Sequence, residues 1–235
     1  MPLGALLLPL ALAAAAPAPK PPPFLPKPAK AVGVSVESGS RRLAASWRAP
    51  RRGMPVLVLA HGVGAGKGEW ERFASRLAAR GFGTLCLDLR GHGGSAASPD
   101  EWKGFDRPGG WAPLKDDLLA AAAWLEGRKI EPARIAFGGA SIGANLAAAA
   151  DAERPGRFLL LLSPGADYRG VKLTLRKGAK ALAVAARADA YAFATLGALS
   201  EKGATVLEAP GGHGAPMLDD EATMGRVLDW LSKPR

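Results

Sequence analysis

Four short runs are apolar almost without interruption: Pro55-Val-Leu-Val-Leu-Ala60, Gly83-Thr-Leu-Cys-Leu-Asp88, Arg157-Phe-Leu-Leu-Leu-Leu-Ser163 and Ala179-Lys-Ala-Leu-Ala-Val-Ala185. A strand with one wet face alternates apolar and polar residues. An unbroken run has both faces covered, as in a parallel sheet sandwiched between helices. Helical segments alternate with these runs. Residues 70–80 put Phe73, Leu77 and Ala78 on one stripe, and residues 114–127, 191–202 and 221–231 follow, with a further strand over 204–208. Two half-apolar runs, 32–36 and 43–47, meet through Gly39-Ser40 and predict an antiparallel hairpin at one edge. The expected fold is α/β: an open, doubly wound, mostly parallel sheet with helices on both faces and right-handed crossovers. At 235 residues, with no internal repeat, residues 32–235 form one domain.

Sheets of this kind place their sites at the carboxyl ends of the strands. There the sequence offers Ile135-Ala-Phe-Gly-Gly-Ala-Ser-Ile-Gly-Ala-Asn-Leu-Ala-Ala-Ala-Ala150, a strand, a Gly139-x-Ser141-x-Gly143 turn and an Ala-rich helix. A serine on so sharp a turn is strained and pushed clear of the backbone. The residues two before and two after crowd strand and helix, which calls for glycine at both. The helix N-terminus beneath Ser141 favours a developing negative charge.

A serine hydroxyl needs a base, and the base needs a third group to orient it. Of the three histidines, His61 directly follows a strand and His92 lies in the loop after the next one. Only His213, in Gly211-Gly-His-Gly214, comes after Ser141, and it is the expected base. Two acids are open: Asp189, after the strand ending near Ala185, is preferred by position. Asp167, after the preceding strand, is the alternative, otherwise a pocket or structural residue. Backbone N–H groups of Val63 and Ile142 would form the oxyanion hole. Gly62-Val-Gly-Ala-Gly-Lys-Gly68 resembles a phosphate-binding loop, but His61 stands at its first glycine position and Gly68 at its hydroxyl position, so nucleotide binding is not expected.

The segments 55–64, Leu87-Asp-Leu-Arg-Gly-His-Gly-Gly-Ser95, Gly139-Ala-Ser-Ile-Gly143, Ala186-Arg-Ala-Asp189 and Gly212-His-Gly214 together resemble, in that order, the α/β-hydrolase superfamily. Within it the chain is similar to lid-less hydrolases grouped with dienelactone hydrolases and serine aminopeptidase-like esterases. The resemblance implies Ser141 as nucleophile, Asp189 as acid, His213 as base, and Val63 and Ile142 as oxyanion donors. Dienelactone hydrolases themselves carry cysteine at the nucleophile position, so Ser141 argues against that activity. Many relatives insert a cap where this chain has only residues 164–178, which implies an open site and no large cap domain.

The expected activity is hydrolysis of small carboxylic esters through an acyl-enzyme, without metal or organic cofactor. Amide or peptide hydrolysis by the same triad, and a non-catalytic binding module on the same fold, are the alternatives. The net charge of +10 does not imply nucleic acid as a partner. Eight basic residues against Glu37 alone put seven of those charges before Met54, a tail whose furthest expected role is weak contact with a membrane surface. Residues 1–16 read as an export signal, either cleaved or retained as an anchor, and the proline-rich stretch 17–31 as a spacer, which predicts a periplasmic or secreted protein. Trp102, Phe105 and Trp111 in the loop over 96–113 are expected to pack it onto the body or wall a pocket. Cys86, the single cysteine, is expected to be a buried thiol.

Overall fold

A computed structural model describes residues 29–233. Residues 1–16, read as an export signal, and most of the stretch 17–31, read as a spacer, lie outside the described residues. Strands β1 (Val32–Ser38) and β2 (Arg41–Arg48) form the expected hairpin, turning at Gly39 with φ +58°. Then follow β3 (Val56–Ala60), α1 (Glu71–Ala79), β4 (Gly83–Leu87), α2 (Lys115–Gly127), β5 (Ile135–Ala140), α3 (Ile142–Glu153) and β6 (Leu159–Leu162). A small hairpin, β7 (Asp167–Tyr168) and β8 (Val171–Lys172), precedes β9 (Ala181–Ala186), α4 (Ala190–Glu201), β10 (Thr205–Ala209) and α5 (Glu221–Ser232). The main sheet has the order β1-β2-β4-β3-β5-β6-β9-β10. Only β2 runs against the rest.

The unbroken apolar runs are explained by two cores. Val56, Val58, Leu159 and Leu161 face α2, α3 and α4, meeting Leu118, Leu146 and Leu196. Their neighbours Leu57, Leu59, Leu160 and Leu162 face α1 and α5, meeting Phe73, Leu77, Val227 and Leu231. Each such side chain contributes about 1.5–3 kcal/mol by leaving water, and a polar residue at any of these positions would enter one core or the other. The hairpin β7–β8 occupies the interval where the sequence reading expects only a connection. Its strands are two residues long, too short for a period-two pattern to register.

The chain winds outward from β3, first to β4 and then back across to β5 on the other side. The loops after β3 and β5 therefore face each other at the switch in winding direction, where a crevice opens. The edge beyond is pinned by a buried carboxylate. Asp117 on α2, fully buried, accepts from Ser38 Oγ at 2.8 Å, from Arg90 N at 2.8 Å and from Arg90 Nη2 at 2.6 Å. It thus joins β1, the loop after β4 and α2. Asp117→Ala strands the Arg90 guanidinium, and a loss of about 3 kcal/mol is expected in urea unfolding, well above the effect of Glu37→Ala on the exposed pair with Arg42.

Candidate active site

Ser141 sits between β5 and α3 with φ 55° and ψ −126°, a strained conformation worth on the order of 1–3 kcal/mol that the surroundings must hold. They do so by backbone contact. A Cβ on Gly139 would lie 2.1 Å from the Gly143 carbonyl oxygen, and one on Gly143 would lie 2.4 Å from that of Ala60. Strand, turn and helix therefore meet where only hydrogen fits. Ser141 N–H donates to Leu162 O at 2.8 Å, fixing the turn to β6. The β3–β5 register pairs Ala60 with Gly139, so Gly62 arrives beside Ser141, its Cβ direction 3.4 Å from the Ser141 Cβ. Val63 follows Gly62 in the loop after β3, and Ile142 is the first residue of α3.

His213 lies in the loop after β10, between Gly212 at φ +89° and Gly214 at φ +67°. Its Nδ1 and Asp189 Oδ2 are 2.7 Å apart. Asp189 lies between β9 and α4, directly before the first residue of α4, with a side chain only 14% exposed against 49% for His213. The histidine loop is tied to the end of β6, where Gly214 N–H donates to Ser163 Oγ at 2.9 Å. It also lies over the Ser141 turn, the Gly214 Cβ direction being 3.3 Å from Ala140 Cβ. Asp167 is engaged elsewhere: its carboxylate accepts the Gly170 N–H at 2.7 Å and closes the β7–β8 turn.

His61 and His92 are buried against each other, ring centroids 4.7 Å apart. His61 Nδ1 is 2.7 Å from Gly62 O, and Nε2 accepts the Leu89 N–H at 3.1 Å. Burial pushes its pKa down to about 4, the Gly62 carbonyl opposing only in part. The ring is a neutral brace under the loop after β3. Asp88 anchors the same loop, accepting Lys67 N–H at 2.6 Å, the Lys67 ammonium, and Gly94 N–H at 2.8 Å. Burial alone would raise its pKa, but these donors outweigh it and hold the carboxyl below its usual range. Lys67, the lysine of the apparent phosphate loop, is therefore committed to Asp88.

Four residues that sequence reasoning missed hold this site. Asn145, buried in α3, donates to Gly165 O and Val171 O, both at 2.8 Å, and so carries the β7–β8 hairpin on the helix behind Ser141. An amide amid a run of alanines was the signal available. Ser163 has φ 49° and Tyr168 sits on the hairpin, but neither carries a local sequence signature. Glu69, beside the Gly62 loop, has one carboxylate oxygen buried without a partner among the described residues. Burial raises its pKa to about 7, with the Gly62 N–H opposing. The aromatic loop packs inward as Trp111 reaches full burial, and its indole N–H donates to Asp106 at 2.8 Å. A cavity of about 470 Å³ opens there, lined by Asp106, Arg107, Trp111 and Arg169, against the turn of the β7–β8 hairpin.

The sequence profile of a hydrolase family described as serine aminopeptidase, S33, matches residues 52–202, more than half of the chain. The chain belongs to that family. Its profile spans Ser141 and Asp189 and ends before His213. An uncharacterised protein of Mycobacterium tuberculosis is 32% identical over 111 residues, 47% of this chain and 36% of the relative, so the chain spans about a third of the length of the curated relative. A dienelactone hydrolase from Anabaena variabilis superposes with a TM-score of 0.65 at 20% identity, over 87% of this chain and 97% of that one. A serine hydrolase without a lid from Xanthomonas campestris gives 0.66 at 18% identity, over 91% and 100%. The fold is that of the α/β-hydrolases, with no large cap.

Glu69 generates a pH-dependent prediction. Its folded pKa, about 7, lies above the ordinary 4.5. The folded state therefore binds the proton more tightly, and stability is lost as pH rises from about 4.5 through about 7. Glu69→Gln removes that penalty. The thermal midpoint should rise relative to wild type at pH 8, by roughly 2–4 °C for each kcal/mol recovered, and remain level with it at pH 4.5.

Proposed function

We propose that this hydrolase cleaves carboxylic esters through an acyl-enzyme, with Ser141 as nucleophile, His213 as base and Asp189 as its orienting acid. The observation that carries the reading is the 2.7 Å Asp189–His213 bond on a loop lying over the strained Ser141 turn. Ser141 Oγ attacks the acyl carbon and gives its proton to His213 Nε2. Asp189 holds the opposite ring nitrogen, Nδ1, as a donor and stabilises the imidazolium. The N–H groups of Val63 and Ile142 receive the oxyanion. The alcohol leaves with the proton, and water, activated by the same histidine, releases the acid.

Ester rather than aminopeptidase chemistry is supported by the state of the nearby carboxylates. An aminopeptidase needs a free anion for the substrate ammonium group. Here Asp189 serves His213, Asp167 caps Gly170, Asp106 binds Arg169 and Trp111, Asp88 binds Lys67, and the unpartnered oxygen of Glu69 is sealed from solvent and so closed to a substrate ammonium. The absence of a large cap and the name of the lactone-cleaving Anabaena relative agree with an open ester site. The family's description as aminopeptidases favours amide hydrolysis as the second reading. We further propose that the chain works outside the cytoplasm on small esters, reached through its N-terminal segment.

A fluorophosphonate is expected to add once, on Ser141, as read by intact mass and peptide mapping, and Ser141→Ala should abolish both the adduct and turnover while keeping the thermal midpoint. No adduct on the folded wild type would overturn the reading in favour of a binding module. Asp189→Asn should lower kcat for acyl esters by about 10³-fold or more; Asp167→Asn should cost less than tenfold. The reverse ranking would move the acid to Asp167. A matched panel of acyl esters and aminoacyl amides separates the two hydrolytic readings.

A further inference from the structure

Tyr168 is the last residue of β7, in the hairpin that stands where many relatives insert a cap, and its ring is fixed on several sides. Its ring meets His213 edge-on, centroids 6.4 Å apart at 89°, and meets Tyr191 at 5.4 Å. Gly165 leaves the space both tyrosine rings use, since a Cβ there would lie 2.5 Å from Tyr191 and 2.7 Å from Tyr168. Asn145 fixes the hairpin from below, the Tyr191 hydroxyl grips Asp167 N and O at 2.9 and 2.7 Å, and Arg169 pairs with Asp106. The tyrosine is thus held from three elements.

Its phenol is less committed than its ring. The hydroxyl donates to Ser163 O over a long 3.2 Å. Half-burial and the Asp189 charge push its pKa up to about 12, with the Ser141 hydroxyl near enough to oppose the shift as a hydrogen-bonding partner. The group therefore remains a proton-bearing donor at every working pH, on a ring that meets the His213 imidazole edge-on and with Ser141 within its electrostatic reach. The departing alcohol oxygen must pass between those same two groups, because His213 returns to it the proton taken from Ser141.

We propose that Tyr168 donates a hydrogen bond to the leaving-group oxygen and fits the site to esters of weakly acidic alcohols. This rests on Ser141 and His213 acting as described above. In acylation the Ser141 Oγ–carbon bond forms and the carbon–alkoxy bond breaks. The Ser141 proton travels through His213 to the alkoxy oxygen, and the alcohol departs. Tyr168 keeps its own proton throughout, turning its O–H from Ser163 O to the oxygen on which charge develops. A nitrophenolate needs little such help and an alkoxide needs much, so the contribution scales with the basicity of the leaving group.

The test is Tyr168→Phe, which keeps the ring against His213 and Tyr191, assayed by kcat/KM on one acyl group carried by nitrophenol, trifluoroethanol and ethanol. The expected loss is under threefold for the nitrophenyl ester and about 10–100-fold for the ethyl ester, with thermal midpoint and fluorophosphonate labelling rate unchanged. An equal loss across the three alcohols, no loss at all, or loss of labelling would overturn the assignment, since each places the hydroxyl's effect elsewhere. If wild type neither labels nor cleaves any ester, the nucleophile assignment falls, and this one falls with it.

Discussion

The molecule is organised around a contact between backbones. Gly139, Gly143 and the end of β3 approach so closely that a methyl group at either glycine would overlap a carbonyl, at 2.1 and 2.4 Å. This approach seats the start of α3 directly on the sheet. It sets the loops after β3 and β5 side by side, brings Gly62 against Ser141 and holds Ser141 at φ 55°. Opening the contact by one methyl would lift α3, and with it Ala144, Leu146 and Ala147 from the core beneath. The strain at one serine and the packing of one helix are consequences of the same fit.

Around that contact, buried polar groups do for the loops what apolar burial does for the sheet. Asp88 gathers the loops after β3 and β4, Asp117 binds β1 to the loop after β4, Asn145 carries the β7–β8 hairpin, and Ser163 receives the histidine loop. Asp88, Asp117 and Asn145 each take several backbone or charged partners, and Ser163 one backbone N–H, all from distant segments, which offsets the desolvation that a lone buried polar group would suffer. The surface pairs, such as Arg42–Glu37 and Arg187–Glu208, lie in high dielectric and hold nothing comparable in place. The carboxyl edge of the sheet is tied together by a handful of interior hydrogen bonds that reach across its loops without a cap.

This division of labour explains what the sequence made legible. Burial on both faces leaves a pattern along the chain itself, so β3, β4, β6 and β9 could be read from their unbroken runs, and the glycines at 139 and 143 announced a close approach. Long-range polar pairing leaves no such local trace. Asn145 and Gly165 are twenty residues apart, Ser38 and Asp117 seventy-nine, and no periodicity links either pair. The β7–β8 hairpin escaped for a related reason: two-residue strands carry no alternation, and its turn uses Arg169 at φ 54° before Gly170 at φ 83°, a left-handed pair with a residue at its first position that sequence rules do not favour. Lys67 imitates a phosphate loop locally; His61 and Gly68 were enough to set nucleotide binding aside, but its actual partner, Asp88, lay twenty-one residues away and left no local trace.

The three histidines show why partners matter more than residue type. His61 has both ring nitrogens occupied by backbone and a pKa near 4, so it can neither take a proton at neutral pH nor reach a substrate. His92 spends Nδ1 on Arg90 O at 3.0 Å, and its Nε2 is closed in among Trp102, Trp111 and His61. Burial lowers its pKa as well. His213 alone combines a carboxylate at Nδ1 with a ring half open to solvent and glycines on both sides. An imidazole serves as a base when one nitrogen is fixed and the other is free. Chain order after Ser141 singled out His213 as the expected base, and the hydrogen-bond partners of the other two imidazoles support the proposal that His213 takes that role.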